Sequence, residues 1–190
     1  MKKLPTGIPS FKKIRDGNYL YIDKTKQILK LTESGDSFFL SRPRRFGKSL
    51  LLDTLDALFR GEKELFKGLY IYDKWDWQIK YPVIRLDMSG DALTSKILIN
   101  TLFDGVNLSA FSEKIDLKSN TAAGQFAELI IKLEEKYKQK VVILIDEYDK
   151  PILDHLDAMK DTKTSIGNKK VLSSFYSTMK TYNGHLHFVF

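Results

Sequence analysis

Cysteine is absent from the 190 residues of the chain. This absence excludes structural disulfides and cysteine-ligated zinc, and it fits a reducing compartment. Glycine and proline are scarce, at 11 and 5 residues, which excludes collagen-like and low-complexity chains. No apolar run approaches the roughly 20 residues that a spanning helix needs, and Met1 to Lys3 lead into Leu-Pro-Thr-Gly, which is not an apolar signal segment. We therefore predict a cytoplasmic protein with no membrane partner.

The charge of the chain is positive, with 31 Lys and Arg residues against 24 Asp and Glu residues, a net charge of +7. Such a charge is compatible with an anionic partner, including nucleic acid bound without sequence specificity. It is equally compatible with a lysine-rich surface that only keeps the protein soluble. With 43% hydrophobic residues, the chain has the composition of one globular domain that spans residues 1–190, in which residues 1–36 form an N-terminal extension.

Short apolar segments alternate with segments of helical periodicity along the chain. Strands are predicted at 37–41, 83–88, 141–145 and 185–190, and helices at 49–60, 95–112, 121–139, 149–158 and 168–181. In the extension, residues 19–23 read as a short strand, and the helix after it ends near Gly35. This alternation predicts an α/β fold, in which helices cover both faces of a parallel sheet. The aromatic stretch 66–77 is expected to pack over the core, the alternative being a partner surface.

The segment FFLSRPRRFGKSL, residues 38–50, joins a predicted strand to a predicted helix through Gly47, Lys48 and Ser49. A phosphate-binding loop has this arrangement: backbone amides surround the phosphates, the lysine contacts the outer phosphates, and the hydroxyl binds magnesium. Arg42 stands where such a loop usually opens with glycine, and Pro43 removes one amide donor. Charge-assisted hydrogen bonds from arginine can offset that loss. The predicted nucleotide-binding residues are Arg44, Arg45, Phe46, Gly47, Lys48, Ser49 and Leu50.

A second motif, VVILIDEYDKP, places Asp146 and Glu147 at the end of an apolar strand. In this position an aspartate can hold Mg²⁺ through water, and the following glutamate can activate the attacking water. The two motifs together predict ATP and Mg²⁺ as ligands, with Ser49 and Asp146 on the metal side. Lys48 and Glu147 are the predicted catalytic residues. Transfer to a small-molecule acceptor is less favoured, because Glu147 directly after Asp146 suits water activation better.

Both motifs, and the opening LPTGIPSFKKIRDGNYLYIDKT, resemble the predicted AAA-ATPase-like family of prokaryotic proteins, in which Arg-Pro-Arg-Arg-Phe-Gly-Lys-Ser is the usual form of the loop. The resemblance implies a three-layer P-loop NTPase fold of the additional-strand type. In that fold the strand after the acidic motif lies between the acidic strand and the loop strand. Asp149 also matches the family pattern, although a charge at a helix start explains it equally well.

Members of the family usually continue past a strand like HLHFVF into a sensor segment, a fifth strand and a lid, often followed by a PD-(D/E)XK nuclease-like domain. The resemblance therefore implies that the 190 residues are truncated after the fourth core strand. We expect nucleotide binding with very slow hydrolysis, and self-association to a homo-oligomer through the unpaired edge of residues 38–40. The two functions left open are an ATPase that drives an attached effector and a nucleotide-gated protein- or DNA-binding module with negligible hydrolysis.

Three weaker patterns remain. His185 and His187 alternate on a predicted strand and would share one face, which raises the question of a metal site without a third ligand. Tyr19, Tyr21 and Lys24 are candidates for contact with adenine, although a structural strand capped by Asp23 is favoured. The lysines in residues 163–170 indicate a solvated loop, with nucleic-acid contact as the alternative.

Overall fold

A computed structural model describes residues 2–41, 46–90, 94–153 and 162–190. Three parallel strands form a sheet in the order β1-β2-β3, where β1 is Val83–Asp87, β2 is Val141–Asp146 and β3 is Leu186–Val189. All six residues of β2 are buried. A continuous apolar run forms such a strand because both of its faces are covered, and the predicted α/β fold with a parallel sheet is confirmed.

Residues 36–38 lie along the free edge of β3. The Phe38 amide donates to the Val189 carbonyl at 2.9 Å, and the Val189 amide donates to the Asp36 carbonyl at 2.7 Å. The predicted strand at 37–41 is wrong in extent, because only Ser37 forms a parallel bridge to Val189. β3 ends at Val189, so the residues after Phe38 have no strand beside them in the described part of the chain.

Seven helices and two short 3-10 turns surround the sheet in the described ranges. The helices are α1 Phe11–Asp16, α2 Thr25–Ser34, α3 Lys48–Phe59, α4 Ser95–Ser112, α5 Ala122–Tyr137, α6 Lys150–Leu153 and α7 Thr162–Thr181, and the turns are Lys63–Phe66 and Asn183–His185. Side-chain caps fix the start of two helices: Thr94 accepts from the amide of Ile97 in α4, and Thr121 accepts from the amide of Gly124 in α5. A threonine in this position satisfies an amide that the helix cannot pair itself.

Helices α4, α5 and α7 cover one face of the sheet. Their buried side chains join those of β1 and β2 in one cluster, in which Phe126 of α5 stacks on Phe175 of α7 at 4.4 Å between ring centroids. Helix α7 corresponds to the helix predicted at 168–181 but begins earlier, at Thr162. Lys163, Lys169 and Lys170 lie on this helix, so the prediction of a loop is wrong.

Helices α1 and α3 cover the other face, together with the connection from α3 to β1. Phe66 and Ile71 in this connection are fully buried, and Trp75 and Trp77 pack against the same cluster. The aromatic stretch therefore packs over the core, as expected. Gly61, with φ +73°, provides the left-handed turn that ends α3.

Two details of the prediction are wrong. Residues 19–23 form no strand, since the amides of Tyr19 and Leu20 donate to the carbonyls of Ile14 and Lys3, which belong to no strand. Val141 and Val142 of β2 pair with Leu186 and Phe188 of β3. His187 lies between these two partners and is the extra residue of a β-bulge. The part of the predicted helix 149–158 that follows Leu153 lies outside the described residues.

None of the helices in the described ranges has both the length and the apolar character that crossing a bilayer requires.

Candidate nucleotide-binding site

Lys48, Asp146 and Glu147 line one cavity of about 160 Å³ at the carboxyl edge of the sheet. Lys48 is the first residue of α3, and Asp146 is the last residue of β2. Parallel strands direct their carboxyl ends to the same edge, and the loop before α3 reaches that edge as well. The fold thus brings together the two motifs that lie far apart in the sequence.

Gly47 shapes the approach to α3. Its φ of +75° is a left-handed conformation, and among the described residues a Cβ at this position would meet nothing within 4 Å. Backbone strain therefore disfavours a side chain here. No side chain accepts a hydrogen bond from the first turn of α3 within the described residues. The amides at the start of a helix that lacks a cap are donors that suit an anion such as phosphate.

The Lys48 ammonium lies 4.0 Å from Glu147 Oε1. The side chains of Lys48 and Glu147 are 21% and 25% exposed, so both groups are partly shielded and still reachable. A pair at this separation and exposure is weak, of the order of 1 kcal/mol or less. Phosphate oxygens can therefore replace Glu147 as the partner of Lys48 at little cost.

Asp146 is 8% exposed. Its Oδ1 accepts the amide of Glu147 at 3.0 Å, whereas Oδ2 has no hydrogen-bond partner among the described residues. A divalent cation or its water ligands would satisfy this oxygen, and the hydroxyl of Ser49 in the first turn of α3 is a second oxygen ligand of the kind that Mg²⁺ prefers.

Glu147 lies in the left-handed region, with φ +51°. A residue with a Cβ has that backbone conformation only where its surroundings enforce it. The segment after it is held in two places: the Lys150 ammonium donates to the carbonyl of Ser89, and the Nδ2 of the buried Asn168 in α7 donates to the carbonyl of Pro151 at 2.9 Å. These contacts hold the short helix α6 and thereby the turn that directs Glu147 toward Lys48.

The other predicted nucleotide-binding residues are distributed differently. Ser49 and Leu50 lie in the first turn of α3 but do not line the cavity, and Leu50 packs against the buried cluster on that face. Phe46 is 63% exposed and stands outside the cavity. Arg44 and Arg45, with Arg42 and Pro43, lie outside the described residues. The assignment of this set as nucleotide ligands stays a prediction.

The sequence analysis missed the apolar part of the cavity. It is lined by Phe38, Phe39, Leu40, Tyr148, Tyr176 and Met179, together with the end of β3. Burial, together with the nearby Tyr148 and Asp149, raises the pKa of Tyr176 to about 12. The Tyr176 hydroxyl is buried and has no hydrogen-bond partner in the described residues. The Asp-Glu-Tyr-Asp run predicts Tyr148 beside the site, but nothing in the local sequence of α7 points to Tyr176.

The two histidines do not form a metal site. His185 belongs to a 3-10 turn, and its Nδ1 lies 2.5 Å from Glu134 Oε2 on α5. His187 stacks on Tyr81 on the α3 side of the sheet, at 4.1 Å between ring centroids. His185 lies in the turn before β3 and not in the strand, so the prediction that the two rings share one face of a strand is wrong. The described residues contain no group of three or more His, Asp or Glu side chains that could hold a metal ion.

Tyr21 and Asp23 have structural contacts. The Tyr21 ring meets the edge of Phe11 at 5.1 Å, and burial raises the pKa of its hydroxyl. Asp23 accepts from the amide and hydroxyl of Thr25 at the start of α2. These contacts support the structural interpretation of the segment over adenine contact.

Comparison with known proteins extends these observations. Residues 5–190 match the family described as predicted AAA-ATPase. The chain is also 43% identical, over 194 aligned residues, to an uncharacterized protein in the vnfD 5' region of Azotobacter chroococcum mcd 1. The match covers 98% of the chain but 36% of that relative, so the chain spans about a third of the relative's length. No solved structure matches the chain. The loop before α3, the acidic end of β2 and the match over residues 5–190 lead to one conclusion: the chain belongs to the AAA-ATPase-like family.

Proposed function

We propose that the chain binds ATP with Mg²⁺ and hydrolyses it, as the nucleotide-binding part of a larger protein. The observation that carries the proposal is the convergence of Lys48 and Glu147, whose charged groups lie 4.0 Å apart at the carboxyl edge of the sheet. A lysine at the start of a helix that lacks a side-chain cap, beside paired acidic residues at a strand end, suits phosphoryl transfer from a nucleotide.

Each residue has one role in this proposal. The ammonium of Lys48 binds the β- and γ-phosphate oxygens, and the amides at the start of α3 bind the phosphates from the helix end. The hydroxyl of Ser49 and, through water, the carboxylate of Asp146 hold Mg²⁺, which neutralises charge on the phosphate oxygens. Glu147 accepts a proton from the attacking water as that water bonds to the γ-phosphorus. The bond from phosphorus to the bridging oxygen breaks, and the charge passes to ADP.

The arrangement of the sheet supports the additional-strand type of P-loop fold. β3 follows β2 in the chain and lies between β2 and the backbone of residues 36–38, which leads to the loop. The match covers only 36% of the relative, which is therefore much longer than the matched segment. This additional length supports a further part of the proposal, that ATP turnover drives or gates an attached effector. The alternative, a nucleotide-gated binding module, shares the site and differs only in turnover.

ATP binding and turnover of the 190-residue chain test the proposal. Lys48→Ala should lose ATP binding, whereas Glu147→Gln should bind ATP and turn over at least 100-fold more slowly than the parent, which is within the usual range for loss of a general base. Lys170→Ala, an exposed position on α7, is the matched control and should change neither property.

The outcomes separate the alternatives. Equal ATP affinity in Lys48→Ala and in the parent would refute the site. ATP binding that depends on Lys48, with no turnover by the full-length protein under any Mg²⁺ concentration, would favour the gated module over the ATPase.

A further inference from the structure

An exposed tyrosine with two lysines lies away from the nucleotide site. Tyr70, in the connection from α3 to β1, is 42% exposed. The ammonium of Lys74 lies 4.8 Å from its ring centroid, and that of Lys26 from α2 lies 5.7 Å from it. We call these three residues the tyrosine–lysine patch. None of them lines the cavity that holds Lys48 and Glu147.

The backbone of Tyr70 is tied to the end of the N-terminal segment. The Tyr70 amide donates to Asp23 Oδ2 at 2.7 Å, which places Tyr70 beside the end of residues 19–23. Ile22, the residue before Asp23, is 71% exposed. An exposed apolar side chain therefore adjoins in sequence the residue that holds the backbone of Tyr70.

The net charge of the chain is concentrated in its first 34 residues, which contribute Lys26 to the patch. Residues 1–34 contain eight Lys and Arg residues against three Asp and Glu residues, a net charge of +5 out of the total of +7. Residues 61–190 contain 18 of each and are neutral as a group. Most of the net positive charge therefore belongs to the segment from which Lys26 comes, and a positive charge favours a polyanion as partner.

We propose that the tyrosine–lysine patch binds single-stranded nucleic acid, with a base stacked on Tyr70 and phosphates on Lys26 and Lys74. Base stacking on an exposed aromatic ring, combined with lysines that contact the backbone, is the usual mode of sequence-independent single-strand binding. The lysine contacts with the ring do not oppose it, because exposed cation–π contacts are weaker than base stacking. Displaced from the ring, the ammonium groups are within reach of the adjoining phosphates.

Single strands fit the patch better than the two other anionic partners. In a duplex the base faces are stacked and cannot reach Tyr70. A membrane surface would need a broad apolar face with several anchoring side chains. Asp23, which accepts the Tyr70 amide, instead places a carboxylate next to the exposed Ile22 and beside Tyr70. Along a single strand the carboxylate can lie between successive phosphates.

Fluorescence anisotropy with a labelled oligo-dT of about 20 nucleotides tests the proposal. Tyr70→Ala should weaken binding about tenfold or more, and Tyr70→Phe should restore it because stacking needs only the ring. Tyr70→Leu, which keeps apolar area without an aromatic face, should remain weak. Thermal unfolding of each variant shows whether the fold is retained.

The lysines are tested by the dependence on salt. Each contact with a single strand contributes about 0.7 to the slope of log affinity against log salt. The double variant Lys26→Gln/Lys74→Gln should therefore lower the slope by about 1.4. The control Lys118→Gln/Lys170→Gln removes the same charge from exposed positions outside the patch, and should leave the slope nearly unchanged.

Three results would overturn the proposal: no binding of oligo-dT at about 50 mM salt, equal losses in the Tyr70→Ala and Tyr70→Phe variants, or equal effects of the two double variants. Patch-dependent binding to vesicles of anionic phospholipid, without binding to oligo-dT, would assign the surface to a membrane instead. Lys48→Ala should retain oligo-dT binding, so failure of the nucleotide site does not affect this test.

Discussion

The strained backbone of Glu147 provides a direct test of how the site is built. Glu147 has φ +51°, follows the buried Asp146 and directs its carboxylate to Lys48. Replacement by glycine removes the strain and the carboxylate together. Glu147→Gln removes the charge but keeps the strained conformation, so the difference between the two variants isolates the strain.

The expected difference follows from two opposing effects. A residue with a Cβ costs about 1–2 kcal/mol in the left-handed region. Relief of this strain stabilises the glycine variant, but glycine also lowers stability by about 0.4–1 kcal/mol, because the unfolded chain then has more conformational freedom to lose on folding. We expect Glu147→Gly to have a free energy of unfolding about 0.5–1 kcal/mol above that of Glu147→Gln. For a chain of this size the melting temperature should rise by about 1–4 °C.

Urea unfolding of both variants measures this difference, and ATP turnover measures the cost to function, which should be a loss of at least about 100-fold in both. Lys138→Gly is the matched control, since Lys138 has φ +54° at the end of α5, outside the cavity. It should gain a similar amount of stability with turnover unchanged. A Glu147→Gly variant less stable than Glu147→Gln would refute the account, because the turn would then depend on side-chain contacts and not on imposed strain.

Three further predictions concern stability. Burial would raise the pKa of Glu113, but hydrogen bonds from Tyr137, Arg60 and Lys136 hold that pKa below its usual 4.5. The stability that ionised Glu113 contributes is therefore complete above about pH 4.5 and is lost as the pH falls further. Glu113→Gln should flatten the dependence of the free energy of unfolding on pH in acid titrations. Gly61→Ala should cost about 1–2 kcal/mol in urea unfolding because of φ +73°. Tyr176→Phe should raise the free energy of unfolding by about 1 kcal/mol, since it removes a buried hydroxyl without a partner in the described residues; a lower value would indicate a donor or acceptor at that hydroxyl.

The helices and the central strands could be predicted from the sequence because their signals are local. Residues 95–112 match α4 in full, since Thr94 supplies the cap and apolar side chains recur at helical spacing. The run 141–145 matches β2 but for Asp146, because a continuous apolar run of that length suits a doubly covered strand. The placement of Lys48, Asp146 and Glu147 at one edge of the sheet could be predicted for the same reason, as each motif lies at a junction of such elements; their roles stay a prediction.

The segments at the margin of the sheet could not be predicted in the same way. Residues 19–23 and 37–41 both have strand-like composition, but strand formation depends on a neighbour that the local sequence does not specify. The bulge at His187 reverses which side chains face α3, and no turn residue marks it in the sequence. Tyr176 and Phe38 meet at the cavity only because α7 crosses the end of β3, a contact between distant parts of the chain.

The position of Glu147 links the two faces of the sheet. Lys48 begins α3 on one face, whereas Glu147 leads into α6, which is held by Asn168 of α7 on the other face. The distance of 4.0 Å between Lys48 and Glu147 therefore depends on how the two helical layers sit relative to each other. Under the proposed function, a phosphate group that took Lys48 away from Glu147 would act on both layers at once, because each charged group is fixed to a different one. The same pair would then couple nucleotide binding to the surfaces that α3 and α7 present.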